Sequence, residues 1–123
     1  MEIIDTHSHL YLENFTSDFH EVINRLKKNH VKKVFLPNID STSIDTMFKL
    51  ESDYPGLFYP MMGLHPTSVQ ENYQEELKLV EDWLKKREFI AIGEIGIDLY
   101  WDDSFYKQQV DAFRKQIKWA KNL

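Results

Sequence analysis

Four times along the chain a short apolar run is followed by a polar turn and then by apolar residues at helical spacing. That alternation restricts the fold more than any other feature. Ile3-Ile4 opens the first unit, and Phe19, Val22, Ile23 and Leu26 follow at helical spacing. Val34-Phe35-Leu36, stopped by Pro37, is the second run, and Ile44, Met47 and Phe48 lie on a helix predicted to open near Ser41. Tyr54-Pro55-Gly56 marks a turn before the third run, Leu57 to Met62, whose centre carries Pro60, a residue poorly suited to an inner strand. Asn72 with Glu75 resembles a capping box, and Tyr73, Leu77, Val80 and Leu84 give the third helix its apolar face. Phe89-Ile90-Ala91-Ile92 is the fourth run, and Tyr106, Val110, Phe113, Ile117 and Ala120 share one face of a fourth helix.

Strands alternating with helices predict an α/β fold of about four parallel βα units. No linker or low-complexity tract divides the chain, so residues 1–123 read as one domain or part of one. A closed (β/α)8 barrel needs about 250 residues. The 123 residues therefore read as the first half of a parallel TIM-type barrel, with a small open sheet as the other arrangement.

Eight Phe, six Tyr and three Trp exclude a disordered chain. The absence of cysteine excludes a disulfide scaffold, a thiolate metal site and a cysteine nucleophile. Any metal site must use His, Asp and Glu, which suits zinc, magnesium or manganese. The net charge of −5 is unlike that of a sequence-independent DNA binder, which is more often basic. Bound divalent cations can nevertheless supply positive charge locally. No stretch approaches the ~18 apolar residues of a membrane span, and Met1-Glu2-Ile3-Ile4-Asp5 lacks the features of a signal peptide. The expectation is a cytoplasmic protein with no membrane partner and no stable protein partner.

The chemically distinctive residues cluster just after the apolar runs: His7 and His9 after the first, Asn38 after the second, Gly63-Leu64-His65-Pro66 after the third, and Gly93-Glu94-Ile95-Gly96-Ile97-Asp98 after the fourth. In parallel βα folds the strand C-termini share one face, where ligands gather. Residues two apart on a strand point the same way, so His7 and His9 can reach one cation. A carboxylate at Glu94 can ligate a cation and, with two oxygens, bridge two. Two readings stay open for His65: contact with substrate or a metal-bound water, or a satisfied loop histidine. Two stay open for Asp98: support for a neighbouring histidine or water, or a cap on the following turn. His20 and His30 lie away from the strand ends and read as surface residues. Arg25, Lys27, Lys28, Lys32 and Lys33, and likewise Lys85, Lys86 and Arg87, surround helix C-termini and read as a solvated face. Tyr100 and Trp101 follow on the site side, able either to stack on a base or sugar or to pack under a loop.

The segments Ile-Asp-Thr-His-Ser-His-Leu at 4–10, Gly-Leu-His-Pro at 63–66 and Gly-Glu-Ile-Gly-Ile-Asp at 93–98 together resemble the TatD-type metal-dependent hydrolases, in the family's order and over the whole chain. The resemblance implies a TIM-type barrel with a divalent-metal pair at its mouth. It also implies hydrolysis of phosphodiester bonds in nucleic acid, with DNA foremost, by a metal-activated water. By matching motif, His7 and His9 would hold the first metal and Glu94 would bridge the first and second. His65 would lie beside the site as a substrate contact, and Asp98 is taken with it on the substrate side. The family completes its site with later residues that do not occur within these 123, so the 123 residues alone are expected to bind metal weakly and hydrolyse little. Other readings are hydrolysis of another ester, such as a D-aminoacyl-tRNA, and a non-catalytic half-barrel that serves as an interaction module.

Overall fold

The computed structural model describes residues 1–123 and joins the first three apolar runs in one parallel sheet. The strands β1 (Ile3–Asp5), β2 (Val31–Pro37) and β3 (Phe58–Met61) lie side by side in chain order. Helices α1 (Phe19–Lys28) and α2 (Ile44–Asp53) form the crossovers, and α3 (Tyr73–Lys86) and α4 (Tyr106–Asn122) follow β3. Sequential strands adjacent in space are the ordinary result of short βα connections.

Alternation along β2 separates the two faces of the sheet. Val34 and Leu36 are fully buried, in one cluster with Val22 and Ile23 of α1, Met47 of α2 and Phe58 of β3. Phe35 and Tyr59 lie on the other face, their ring centroids 6.1 Å apart, and the Lys33 ammonium stands 5.3 Å from the Tyr59 centroid. Helices therefore cover one face while the other stays partly open, as in a segment of barrel wall.

The fourth expected strand does not form as a strand. The run at 89–92 lies parallel to β3 but makes a single bridge, between Met62 and Ile92. The Met62 N–H donates to Ala91 at 3.3 Å and the Gly93 N–H donates to Met62 at 3.0 Å. Two residues earlier, where alternation would aim the next N–H of β3 at this run, stands Pro60, which has none. There only the Ile90 N–H reaches across, to the Pro60 carbonyl at 3.4 Å, so the chain holds three strands and one bridged segment in place of four strands.

Three further expectations need correction. The buried face of α4 carries Gln109, Ala112 and Gln116, one residue out of phase with the apolar stripe; Tyr106 and Ala120 of that stripe are exposed. The two glutamines are buried because they bond to backbone groups of neighbouring loops. Asn72 makes no side-chain cap on α3, because its backbone is already near-helical (φ −87°, ψ 15°). The capping box lies instead at Asp40 and Ser43, ahead of α2. Arg87 also departs from a solvated charge. It grips Glu51 with two bonds of 2.7 and 2.8 Å and lies over the Phe48 and Phe89 rings, which ties the end of α3 to α2.

Asp40 accepts the Thr42 N–H at 2.9 Å and the Ser68 hydroxyl at 2.9 Å, so it links α2 to the loop after β3. Partial burial would raise its pKa, but the bonds from Thr42 and Ser68 win and hold the carboxyl below the usual carboxylate range. The stability it contributes is therefore present above the unfolded value of about 3.9 and is lost as pH falls through the lower folded value. Asp40→Asn should lower stability by about 1 kcal/mol at pH 7, the gap between a charged and a neutral acceptor. In urea unfolding that difference should shrink on going from pH 7 to pH 3; an undiminished difference would contradict the assignment.

Candidate metal centre

The loops that follow β2, β3 and the bridged segment are stitched together by Asn38, which is fully buried. Its N–H is shared between the Met61 and Gly93 carbonyls at 3.1 Å each, and its own carbonyl accepts the Glu94 N–H at 3.1 Å. Its side-chain amide donates to the Gly63 carbonyl at 2.9 Å and accepts the Ser43 hydroxyl at 2.8 Å. Gly63 and Gly93 touch: a Cβ built on Gly63 would stand 2.7 Å from the Gly93 carbonyl carbon. Gly63 requires the absence of a side chain, because what a Cβ would meet there is backbone; at Gly93 it would meet only the terminal methyl of Met61. The same contacts bring Glu94 beside the first loop.

β1 ends at Asp5, so His7 and His9 lie past the strand and not on it. The Ser8 N–H still donates to the Phe35 carbonyl at 3.1 Å, which carries the β1–β2 pairing into the loop. The two imidazoles accordingly still point the same way. His7 Nε2 and His9 Nε2 each stand 3.1 Å from Glu94 Oε2. His65 Nε2 stands 3.2 Å from the other oxygen, Glu94 Oε1. His7, His9 and Glu94 offer ligand atoms that all lie within 4.8 Å of one another.

Hydrogen bonds assign the ring protons. The Tyr11 hydroxyl donates its one proton to the Pro37 carbonyl, so its oxygen accepts from His9 Nδ1 at 2.8 Å. Burial raises the Tyr11 hydroxyl far above neutrality, so that proton stays in place. His9 Nδ1 therefore carries the hydrogen, and Nε2 of the neutral ring presents a lone pair to Glu94. Burial holds the His9 imidazole below its ordinary pKa; the Glu94 charge opposes this and His7 adds to the lowering. The ring is thus neutral at neutral pH, and two acceptors face each other at 3.1 Å with no proton between them. Such a pair repels unless a cation joins it, and an imidazole oriented through its other nitrogen is the usual arrangement of a metal-ligating histidine. The donor set fits a divalent ion.

His65 has the opposite arrangement. The Thr67 N–H donates to its Nδ1 at 3.1 Å, which puts the ring hydrogen on Nε2, facing Glu94 Oε1. His65 is therefore a hydrogen-bond donor toward the centre. Asp98 lies outside the cluster, where its Oδ1 accepts the Tyr100 N–H at 3.0 Å and closes a turn. Tyr100 and Trp101 are 82% and 80% exposed and pack edge to face. A cleft of about 850 Å³ lined by Leu84, Phe89, Ile90, Ile92, Ala120 and Leu123 contains none of the site residues.

Tyr11 and Thr67, which bond histidine rings two residues away, and Gln109 and Gln116, which bond backbone groups of distant loops, were not readable as site residues. The signal for Asn38 was its place after β2, shared with the histidines and Glu94.

A model of the family described as TatD related DNase matches residues 4–123. An uncharacterized metal-dependent hydrolase of Bacillus subtilis is 31% identical over 121 residues, covering 98% of this chain and 47% of that protein. A 3'-5' ssDNA/RNA exonuclease of Yersinia pseudotuberculosis is 29% identical over 112 residues, covering 89% of this chain and 42% of that protein. The crystal structure of a TatD homolog from Escherichia coli superposes with a TM-score of 0.86 at 29% identity, over 98% of this chain and 47% of that one. The chain spans about half the length of the curated relatives it matches. Its parallel βα architecture is that of half a TIM-type barrel. No helix is long and apolar enough to cross a membrane.

Proposed function

The chain belongs to the TatD related DNase family of metal-dependent hydrolases, and from that premise we propose that residues 1–123 are the N-terminal half of one TIM-barrel domain that hydrolyses phosphodiester bonds of nucleic acid. The observation that carries the reading is the convergence of His7 Nε2 and His9 Nε2 on Glu94 Oε2, each at 3.1 Å, a donor set that makes chemical sense around a cation.

In this reading His7, His9 and Glu94 would hold the divalent metal, and Glu94 is the residue that would be shared with a second ion. When bound, such ions supply Lewis acidity toward phosphoryl oxygens and lower the pKa of an attacking water. The chain's own residues do the rest. Tyr11 fixes the His9 tautomer through Nδ1. Asn38 holds the backbone of Glu94. His65 turns its Nε2 hydrogen toward Glu94 Oε1 and would be the donor a phosphoryl oxygen meets beside the cluster. Tyr100 and Trp101 offer exposed ring faces to an unpaired base. The net charge of −5 suits a site whose attraction for phosphate comes from bound cations.

The native gene product, incubated with Mg²⁺, Mn²⁺ or Zn²⁺, should cleave single-stranded DNA and stop when EDTA is added. Metal-dependent hydrolysis of a D-aminoacyl-tRNA with no cleavage of DNA or RNA would move the substrate to another ester. Binding of metal without any hydrolysis would favour the interaction module.

A further inference from the structure

Gln109 and Gln116 are among the most buried polar side chains of the chain, 3% and 1% exposed. Each closes a two-bond ring on the backbone of one residue. Gln116 Oε1 accepts the Leu64 N–H at 2.7 Å, and Nε2 donates to the Leu64 carbonyl at 3.4 Å and the Ala112 carbonyl at 3.2 Å. Gln109 Oε1 accepts the Asp98 N–H at 2.8 Å, and Nε2 donates to the Asp98 carbonyl at 2.9 Å. Seven residues on a helix are two turns, a rise of about 10.5 Å. One face of α4 thus acts as a ruler gripping two loops that flank Glu94.

The Leu64 bracket matters most, because Leu64 directly precedes His65. The His65 N–H is held by the Ile39 carbonyl at 2.8 Å, and its Nδ1 is held by Thr67. The peptide joining Leu64 to His65 is thus held at its N–H by Ile39 and at its carbonyl by Gln116, which also accepts the Leu64 N–H and so grips Leu64 on both sides. We propose that Gln116 is a positioning residue for His65: by bracketing Leu64 it keeps His65 Nε2 on Glu94 Oε1.

Only a carboxamide suits the place. It sets a donor beside an acceptor in one plane and carries no charge. Glutamate would accept from the Leu64 N–H but turn a second acceptor on the Leu64 carbonyl. Methionine would fill the volume and leave both Leu64 groups, buried with a residue that is 1% exposed, without partners.

The test has a structural arm, independent of the hydrolase reading, and a kinetic arm that rests on it. In the metal-free ¹⁵N-labelled chain at one fixed pH, Gln116→Met should shift the ring nitrogens of His65 and leave those of His20 and His30 in place. Gln109→Met, which loosens only the Asp98 loop, should leave the His65 nitrogens in place. Gln116→Glu provides the same readout if Gln116→Met fails to fold. Unmoved His65 nitrogens in a folded Gln116 variant overturn the proposal. In the hydrolytically active gene product, Gln116→Met and His65→Ala should each lower kcat about tenfold or more. The double variant should then fall no more than about twofold below His65→Ala, since residues acting as one unit are non-additive. Losses that multiply would show that Gln116 merely supports the fold. A wild-type product that hydrolyses no nucleic acid refutes the hydrolase reading, and the ring-nitrogen arm still decides the role of Gln116.

Discussion

Glu94→Ala is expected to abolish measurable divalent-metal binding and to lower turnover of the active gene product by on the order of 100-fold or more, beyond the 10–100-fold typical of a residue that only supports a ligand. Glu94 supplies the one carboxylate of the cluster, and its two oxygens are the point on which His7, His9 and His65 converge. The metal-free chain should behave differently. Its stability should change by no more than about 0.5 kcal/mol, the range of substitutions that remove no net favourable contact. Repulsion at His9 Nε2 disappears with the carboxylate, and this offsets the bond lost from His65. The dissociation distinguishes a ligand from a structural carboxylate. Calorimetric titration with Mn²⁺ or Zn²⁺ together with urea unfolding measures both halves. Unchanged metal affinity in Glu94→Ala would sink the hydrolase reading, and the His7→Ala variant provides the parallel check.

Gly63→Ala should be the most damaging single-methyl change near the site. The new Cβ would stand 2.7 Å from the Gly93 carbonyl carbon and 2.8 Å from its oxygen, and neither is a flexible side-chain end. Overpacking of this kind destabilises by about 1–3 kcal/mol. Relief requires Gly93 to move, and Gly93 carries Glu94 with it, so metal affinity should fall together with stability. A lower urea midpoint with an unchanged slope, accompanied by weaker Mn²⁺ binding, is the expected outcome. Wild-type stability would mean that the two loops are not pressed together.

The elements that hydropathy can see were legible. Val22 and Ile23 of α1, Met47 of α2, and Leu77 and Val80 of α3 are buried where their spacing put them. Three residues 85 or more positions apart from end to end came together because strand C-termini share a face: His7 and His9 meet Glu94. What escaped has a common cause. Pro60 is a local feature, but its missing N–H acts on a different segment, and no pattern in 89–92 announces the loss. Gln109 and Gln116 look like solvent-facing positions to any scale that counts polarity. A buried amide that serves distant backbone groups has the same letter as an exposed one. The capping box at Asp40 and Ser43 was hidden for a similar reason, since its pairing depends on an extended backbone at Asp40 and not on residue type alone.

The donors around Glu94 are unequally sheltered: the His7 side chain is 54% exposed, against 23% for His9 and 18% for His65. Solvent therefore reaches the centre over His7. Ion traffic should use that door, with His7 the first group to meet an arriving cation and the last to let it go. His7 would then bear on how fast the centre loads as well as on how firmly it holds, whereas His9 and Glu94 act on the holding alone.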